Sequence, residues 1–310
     1  MTDVRTYHGQ PVIKEPTWTW EIPCYFFTGG LGGASAGLAY LSELGGHDEL
    51  ARRAWATAAG GLAVSPLLLI SDLGRPMRFL NMLRMVKVTS PMSIGSWILT
   101  VSGATTTIAA AHAWTGWFPG PARIARPLAA IFGLPLSTYT AALVANTAVP
   151  VWHEARALLP AVFAASAATS AGAACLIVTA PEHGAPARRL AVAGAAGELA
   201  LTELMHRRLG EHRDSYEHGS AHRHHQVARA CAAAGAGLVA ARGARSRAAA
   251  VVGGAVLLAG ALATRWSVYH AGFSSAADPK ATIAPQRRRI DRGVSAGAAR
   301  TRAAASAAGT

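Results

Sequence analysis

Asp72 and Arg75 stand three residues apart at the edge of an apolar stretch. At a membrane boundary such residues can form an ion pair. The carboxylate can relay protons, and the guanidinium can steady an anion or meet the acidic surface of a partner. Tyr139 and Asn146 stand seven apart, about two turns, so a helix puts them on one face. A phenol and an amide inside a span either hydrogen-bond a neighbouring helix or line a pocket for a lipid-soluble quinone. A quinone head needs donors at its two carbonyls, an apolar cavity and a proton path, and a tyrosine supplies both donor and proton. Glu198 lies midway between Arg189 and Arg207. An ionised carboxylate at mid-bilayer costs about 2.5–3.5 kcal/mol, so it must face the bundle or internal water, which makes it a candidate for a proton path. Glu203 lies five residues on, roughly 140° round the helix. It is within reach of Arg207 and reads as a boundary salt bridge.

Other candidates carry less. Residues 76–88 can form an amphipathic helix at the membrane surface, with Met77, Leu80, Leu83 and Met85 towards lipid and Arg78 and Arg84 away from it. A membrane haem needs two axial histidines on facing helices. Only His112 falls within an expected span, while His206 and His270 fall at boundaries, so no haem is expected. His218, His222, His224 and His225 read as an exposed polar loop. Cys24, Cys175 and Cys231 are too far apart for an iron–sulfur cluster or a zinc site.

The elements that must position these groups are visible in the charge pattern. Only 15% of the 310 residues are charged, against about 25% in a soluble domain. No Asp, Glu, Lys or Arg lies between Glu21 and Glu43, Arg53 and Asp72, Lys87 and Arg123, Arg126 and Glu154, or Arg156 and Glu182. Each gap is long enough for a helix to span a bilayer, and far longer than the strands of an outer-membrane barrel, of about ten residues each. The mean hydropathy, +0.26, is modest because the spans are rich in Ala and Gly and the loops are basic. The pattern predicts an all-α integral membrane protein with eight transmembrane helices, over 22–43, 52–72, 92–114, 127–149, 156–180, 189–208, 226–242 and 246–265. They are expected to form two four-helix bundles, 22–150 and 151–272, flanked by an N-terminal segment 1–21 and a basic tail 273–310, the latter partly disordered or laid on a partner. No cleavable signal peptide is expected, because the first apolar run has no basic stretch before it and no small-residue cleavage site after it.

Gly29, Gly33 and Gly37 repeat every four residues on the first span, a spacing that permits close helix–helix approach. Pro66 and Pro135 should kink their spans. Trp18, Trp20, Trp114, Trp117, Trp152 and Trp266 fall near span ends, as an aromatic belt requires. With eight spans, 20 of the 29 Lys and Arg residues fall on the side of the termini. Positive-inside reasoning then places both termini in the cytoplasm.

Three runs together resemble the NrfD-like, polysulfide reductase membrane-subunit family. They are Asp72–Pro76 with Arg78-Phe79 and Thr89-Ser90-Pro91-Met92-Ser93; Tyr139–Pro150 followed by Trp152-His153-Glu154-Ala155-Arg156; and Ala271–Lys280 with Pro285-Gln286-Arg287. The similarity runs in the same order from Trp18 to about Arg292. The resemblance implies an eight-helix, quinone-reactive anchor in the cell membrane, with menaquinone the expected quinone. It implies a ferredoxin-like, four-cluster iron–sulfur subunit and a molybdopterin catalytic subunit as partners, together with membrane lipid and no nucleic acid. It places the quinone among the first four helices, near the docking face, with Tyr139 as the catalytic tyrosine and Trp20, Glu21 and Tyr25 at the start of the first helix. The residue types and spacing add Asp72, Arg75 and Asn146 to that site, put Asp72 and Glu198 on proton paths, and make Arg75, Arg78, Arg84 and Lys280 docking candidates. Some relatives offer an Asn and a His at the start of the first helix, where Ile22 and Tyr25 stand in this chain. Two other readings compete: a transporter or proton-translocating protein using Glu198, Asp72 and Tyr139 without a quinone, and a purely structural anchor.

Overall fold

A computed structural model describes residues 12–75, 77–283, 290 and 293. The first eleven residues, Pro76, and the tail positions Pro285, Gln286, Arg287 and Arg292 lie outside the described residues, as does most of the basic tail expected from 273 to 310.

All regular structure among the described residues is helical. Eight helices have 20 or more residues: α1 (Glu21–Leu44), α2 (Asp48–Asp72), α4 (Pro91–Thr115), α5 (Pro119–Ala145), α7 (Leu159–Val178), α8 (Ala185–Leu209), α10 (Gly219–Arg242) and α11 (Arg247–Ala277). Between them lie the short helices α3 (Met77–Met82), α6 (Pro150–Glu154) and α9 (Asp214–Glu217). Each long helix overlaps an expected span. Five of them, α2, α4, α5, α7 and α11, are long and apolar enough to cross a membrane. The other three carry more polar residues or glycine. Glycine dilutes α1, Glu198 and Glu203 interrupt α8, and α10 opens on a run of His and Arg.

The long helices pack in two groups of four, α1, α2, α4, α5 and α7, α8, α10, α11, joined where α7 meets α1 and α5 and where α11 meets α1. Alanine and glycine at the contacts let backbones approach closely. At the α1–α5 crossing Gly33 lies against Gly133, and a methyl group on either would fall on the other's backbone carbonyl. The Ser137 hydroxyl donates to the Gly133 carbonyl at 3.0 Å beside this crossing. Of the glycine triplet in α1, Gly33 is the one that sets a helix separation. Gly37 has only Leu134, 4.0 Å from where its Cβ would stand.

Helix ends follow local rules. The Ser90 side chain accepts from the Ser93 N–H at 3.4 Å and Pro91 opens α4. The Ser246 side chain accepts from the Ala249 N–H at 3.2 Å at the start of α11. Helix α2 continues through Pro66, and α5 through Pro127 and Pro135.

Four sequence expectations are corrected. The surface helix expected over 76–88 is helical only over Met77–Met82. Beyond it, side chains of α4 take the backbone groups a helix would have used. Ser93 Oγ donates to the Met85 carbonyl at 3.2 Å and accepts from the Lys87 N–H at 3.0 Å, and Trp97 Nε1 donates to the same Met85 carbonyl at 3.3 Å. The last span does not end at Arg265. Helix α11 runs on to Ala277 and buries Arg265 to 1% exposure, so this arginine is not a loop charge. Trp152 is not a belt residue either. It is fully buried, stacks on Trp18 with ring centroids 5.5 Å apart and donates to the Val268 carbonyl at 2.7 Å. His222, His224 and His225 lie not in a loop but in the first turns of α10, the last two packed on other rings.

Candidate functional site

An apolar recess opens where α1 begins, α2 ends, α4 begins and α5 ends. Trp18, Ile22, Tyr25, Phe26, Leu69 and Leu143 form its apolar wall, and Tyr139, Ser96 and Asp72 add polar groups. Met82 and Met92 also line it. The free space inside is about 50 Å³, well below the roughly 300 Å³ of a small-ligand pocket. A ring can therefore enter only if lining side chains move, and the methionines are the most adaptable of them. Both are unbranched, and Met92 is 49% exposed.

Each polar group is held by a different element. Tyr25 comes from the first turns of α1 and is 1% exposed, and its hydroxyl has no hydrogen-bond partner among the described residues. A buried polar atom without a partner costs about 1–3 kcal/mol, and Tyr25 is one of the residues that line the recess. Tyr139, on the last turns of α5, is half-buried and occupies the space that a side chain on Gly95 of α4 would need. Ser96 is one residue further along α4 and gives its proton to the Ser93 carbonyl at 2.9 Å.

The ion pair expected between Asp72 and Arg75 does not form. Asp72 instead accepts from the Thr19 N–H at 3.1 Å and the Thr19 hydroxyl at 2.9 Å, tying the end of α2 to the segment before α1. Glu21 joins this knot through the same Thr19 hydroxyl and through Ser71, whose hydroxyl donates to it at 3.3 Å. Arg75 is exposed, and Arg78 donates to the Leu73 carbonyl at 3.1 Å. Arg84 and Lys280 are also exposed. Trp20, 58% exposed, and Asn146, an exposed residue capping the C-terminus of α5, do not line the recess. The recess thus brings together Tyr25, Asp72 and Tyr139, keeps Glu21 at the rim, and leaves Trp20, Arg75 and Asn146 outside. Trp18, Ser96 and the two methionines were not among the expected site residues, although Trp18 was named for the aromatic belt and Met92 stands in the Thr89–Ser93 run.

Glu198 lies in the second group of helices, 4% exposed. Thr264 Oγ1 donates to its Oε1 at 2.5 Å and Thr169 Oγ1 to its Oε2 at 3.2 Å. The next residue along α11, Arg265, reaches the seam between the two groups. Its Nη2 donates to the Phe163 carbonyl at 2.9 Å, its guanidinium lies 3.7 Å over the Phe163 ring, and the same Nη2 stands 3.3 Å from where a Cβ on Gly30 of α1 would be. Phe163 in turn meets Phe26 of the recess wall with ring centroids 5.9 Å apart. Glu203 pairs with Arg207 at 2.8 Å, as its spacing suggested. Near the end of this helix group, Tyr216 of α9 is fully buried, which pushes its phenol above the ordinary tyrosine value.

No curated protein matches the chain. The family described as "Polysulphide reductase, NrfD" matches residues 6–189, the stretch that contains the whole recess and ends within α8. The match spans more than half of the 310 residues, and the chain therefore belongs to the NrfD family.

Proposed function

We propose that the chain passes electrons between the iron–sulfur clusters of a partner and quinone dissolved in the membrane, and that the recess between Tyr25 and Tyr139 receives the quinone head. The coarser statement follows from the family: the chain is a membrane subunit of a redox complex. The observation that carries the finer reading is the buried Tyr25 hydroxyl, left without a partner on a residue that lines an apolar recess. The recess residues suit a quinone, since Tyr25 and Tyr139 offer two phenolic donors and the apolar wall suits its ring. When bound, the quinone supplies the two-electron, two-proton chemistry that a chain of ordinary side chains lacks.

The remaining work falls to this chain. Tyr25 and Tyr139 hydrogen-bond and orient the head. The aromatic wall of Trp18 and Phe26 excludes water. Asp72, held by Thr19 at the mouth, is placed to hold a proton between the recess and the aqueous side. Arg75, Arg78, Arg84 and Lys280 are cationic groups suited to an acidic iron–sulfur subunit. We place a molybdopterin subunit beyond it, menaquinone as the quinone, and both termini in the cytoplasm. A proton-translocating protein without quinone would use Glu198, but it leaves the Tyr25 hydroxyl unexplained.

Purification from native membranes tests the assignment. Solvent extraction of the purified complex should release quinone, and an iron–sulfur protein should co-purify. Recovery of neither would contradict it.

A further inference from the structure

A second set of polar groups lies outside the recess, at the end of α8 where α10 begins. Glu198 lines a small pocket of about 20 Å³ there, together with Met205, His206, Tyr216, His225, Thr264 and the exposed Arg229. A volume of about 10–15 Å³ is enough for one water molecule. His206 is 4% exposed and its Nε2 has no partner among the described residues, and the same holds for the hydroxyl of Tyr216, 2% exposed. The His206 ring lies 4.6 Å from that of Tyr216 and 4.5 Å from that of His225, centroid to centroid. His225 is half-buried, and beside it Gln226 and Arg229 are exposed and line, with Glu203 and Arg207, a hollow open to the surface. Burial thus rises stepwise from Arg229 through His225 to His206 and Glu198. Ring packing alone would be served by phenylalanines. It does not account for a buried imidazole nitrogen and a buried phenol both left without partners around a water-sized space that ends on a carboxylate.

We propose that His225 and His206, steadied by Tyr216, form a proton relay between the aqueous phase and Glu198. This rests on reading Glu198 as a proton-carrying group. One proton adds to a free ring nitrogen of His225 from surface water. Water in the space that both rings line carries it to His206, whose ring takes it on one nitrogen and releases the proton of the other. Water in the same space carries that proton to the Glu198 carboxylate, which becomes a neutral acid. Both imidazoles end neutral, no electrons move, and one proton has crossed from bulk water to mid-bundle. The charged and titratable groups facing the pair are Glu203 of α8, Arg213 before α9, and His222 and Arg229 of α10. The relay's outer end is on the side of the protein where the recess opens, since α8 ends and α1 begins on the same side when every long helix crosses.

The test uses the full chain in lipid, without quinone or partner. The infrared carbonyl band of protonated Glu198 is assigned by its loss in Glu198→Gln, and its shift on transfer to deuterated water is followed in time. His225→Ala should slow that exchange at least about tenfold, within the range of a lost acid–base group, and added free imidazole should restore it. His206→Gln should slow it as well. A structural role for the rings would not be rescued by imidazole. Unchanged exchange in both variants would overturn the relay, as would the absence of any Glu198 acid band between about pH 5 and 9, a window wide enough for a carboxylic acid raised by burial. Neither result bears on Tyr25 and Tyr139, so failure here is distinct from failure of the quinone reading.

Discussion

Tyr139 lies in the space that a side chain on Gly95 would occupy: a methyl group built there falls onto the phenol ring. The tyrosine side chain is thus positioned by the absence of a side chain on the facing helix. Gly95→Ala should displace the phenol and lower quinone reduction at least about tenfold, equivalent to about 1.4 kcal/mol, with helix content unchanged. Gly103 lies two turns further along the same helix with nothing within 4 Å of an added Cβ. Gly103→Ala should be neutral in the same assay, and equal losses in both variants would point to a general effect on α4.

The α1–α5 crossing predicts a stability difference within one helix. Gly33→Ala sets a methyl group against the Gly133 carbonyl and should destabilise by about 1–3 kcal/mol, as overpacking does. Gly37→Ala meets only Leu134 at ordinary contact distance and should change little. Thermal unfolding of the two variants in lipid nanodiscs separates them.

Eight crossings with cytoplasmic termini give an alternating reporter pattern. Alkaline phosphatase fused at Gly184 or Arg245 should be active, and fused at Gly210 silent. Activity at Gly210 with silence at Gly184 and Arg245 would reverse the orientation. Equal signals on both sides of α10 would show that this helix does not cross.

The long helices were legible because charge is absent from the spans and concentrated between them. That pattern survives single-residue detail, so even α10, with Arg229 near its middle, emerges as a 24-residue helix. Local spacing also identified the Glu203–Arg207 pair and the close approach at Gly33. What spacing could not show were partners distant in sequence. Asp72 looks set for Arg75, three residues away, but folding brings Thr19 to it across 53 residues. The end of α11 was misjudged at Arg265 because an arginine in an apolar run reads as a boundary. In the fold its charge is met by the Phe163 carbonyl and ring. His206, Tyr216 and His225 belong to three different helices, and no period in the sequence could have joined them.

The two phenols of the recess test the central proposal most directly. The measurement is electron transfer to a quinone analogue by the assembled complex in native membranes, for Tyr139→Phe and Tyr25→Phe. Each change keeps the ring and removes one hydroxyl, so packing and assembly with the iron–sulfur partner should survive. The proposal predicts at least about a tenfold fall in turnover for Tyr139→Phe and weakened binding of the analogue for Tyr25→Phe. Unaltered turnover and unaltered binding in both variants would contradict it, and would remove the recess between α1, α2, α4 and α5 as the quinone site.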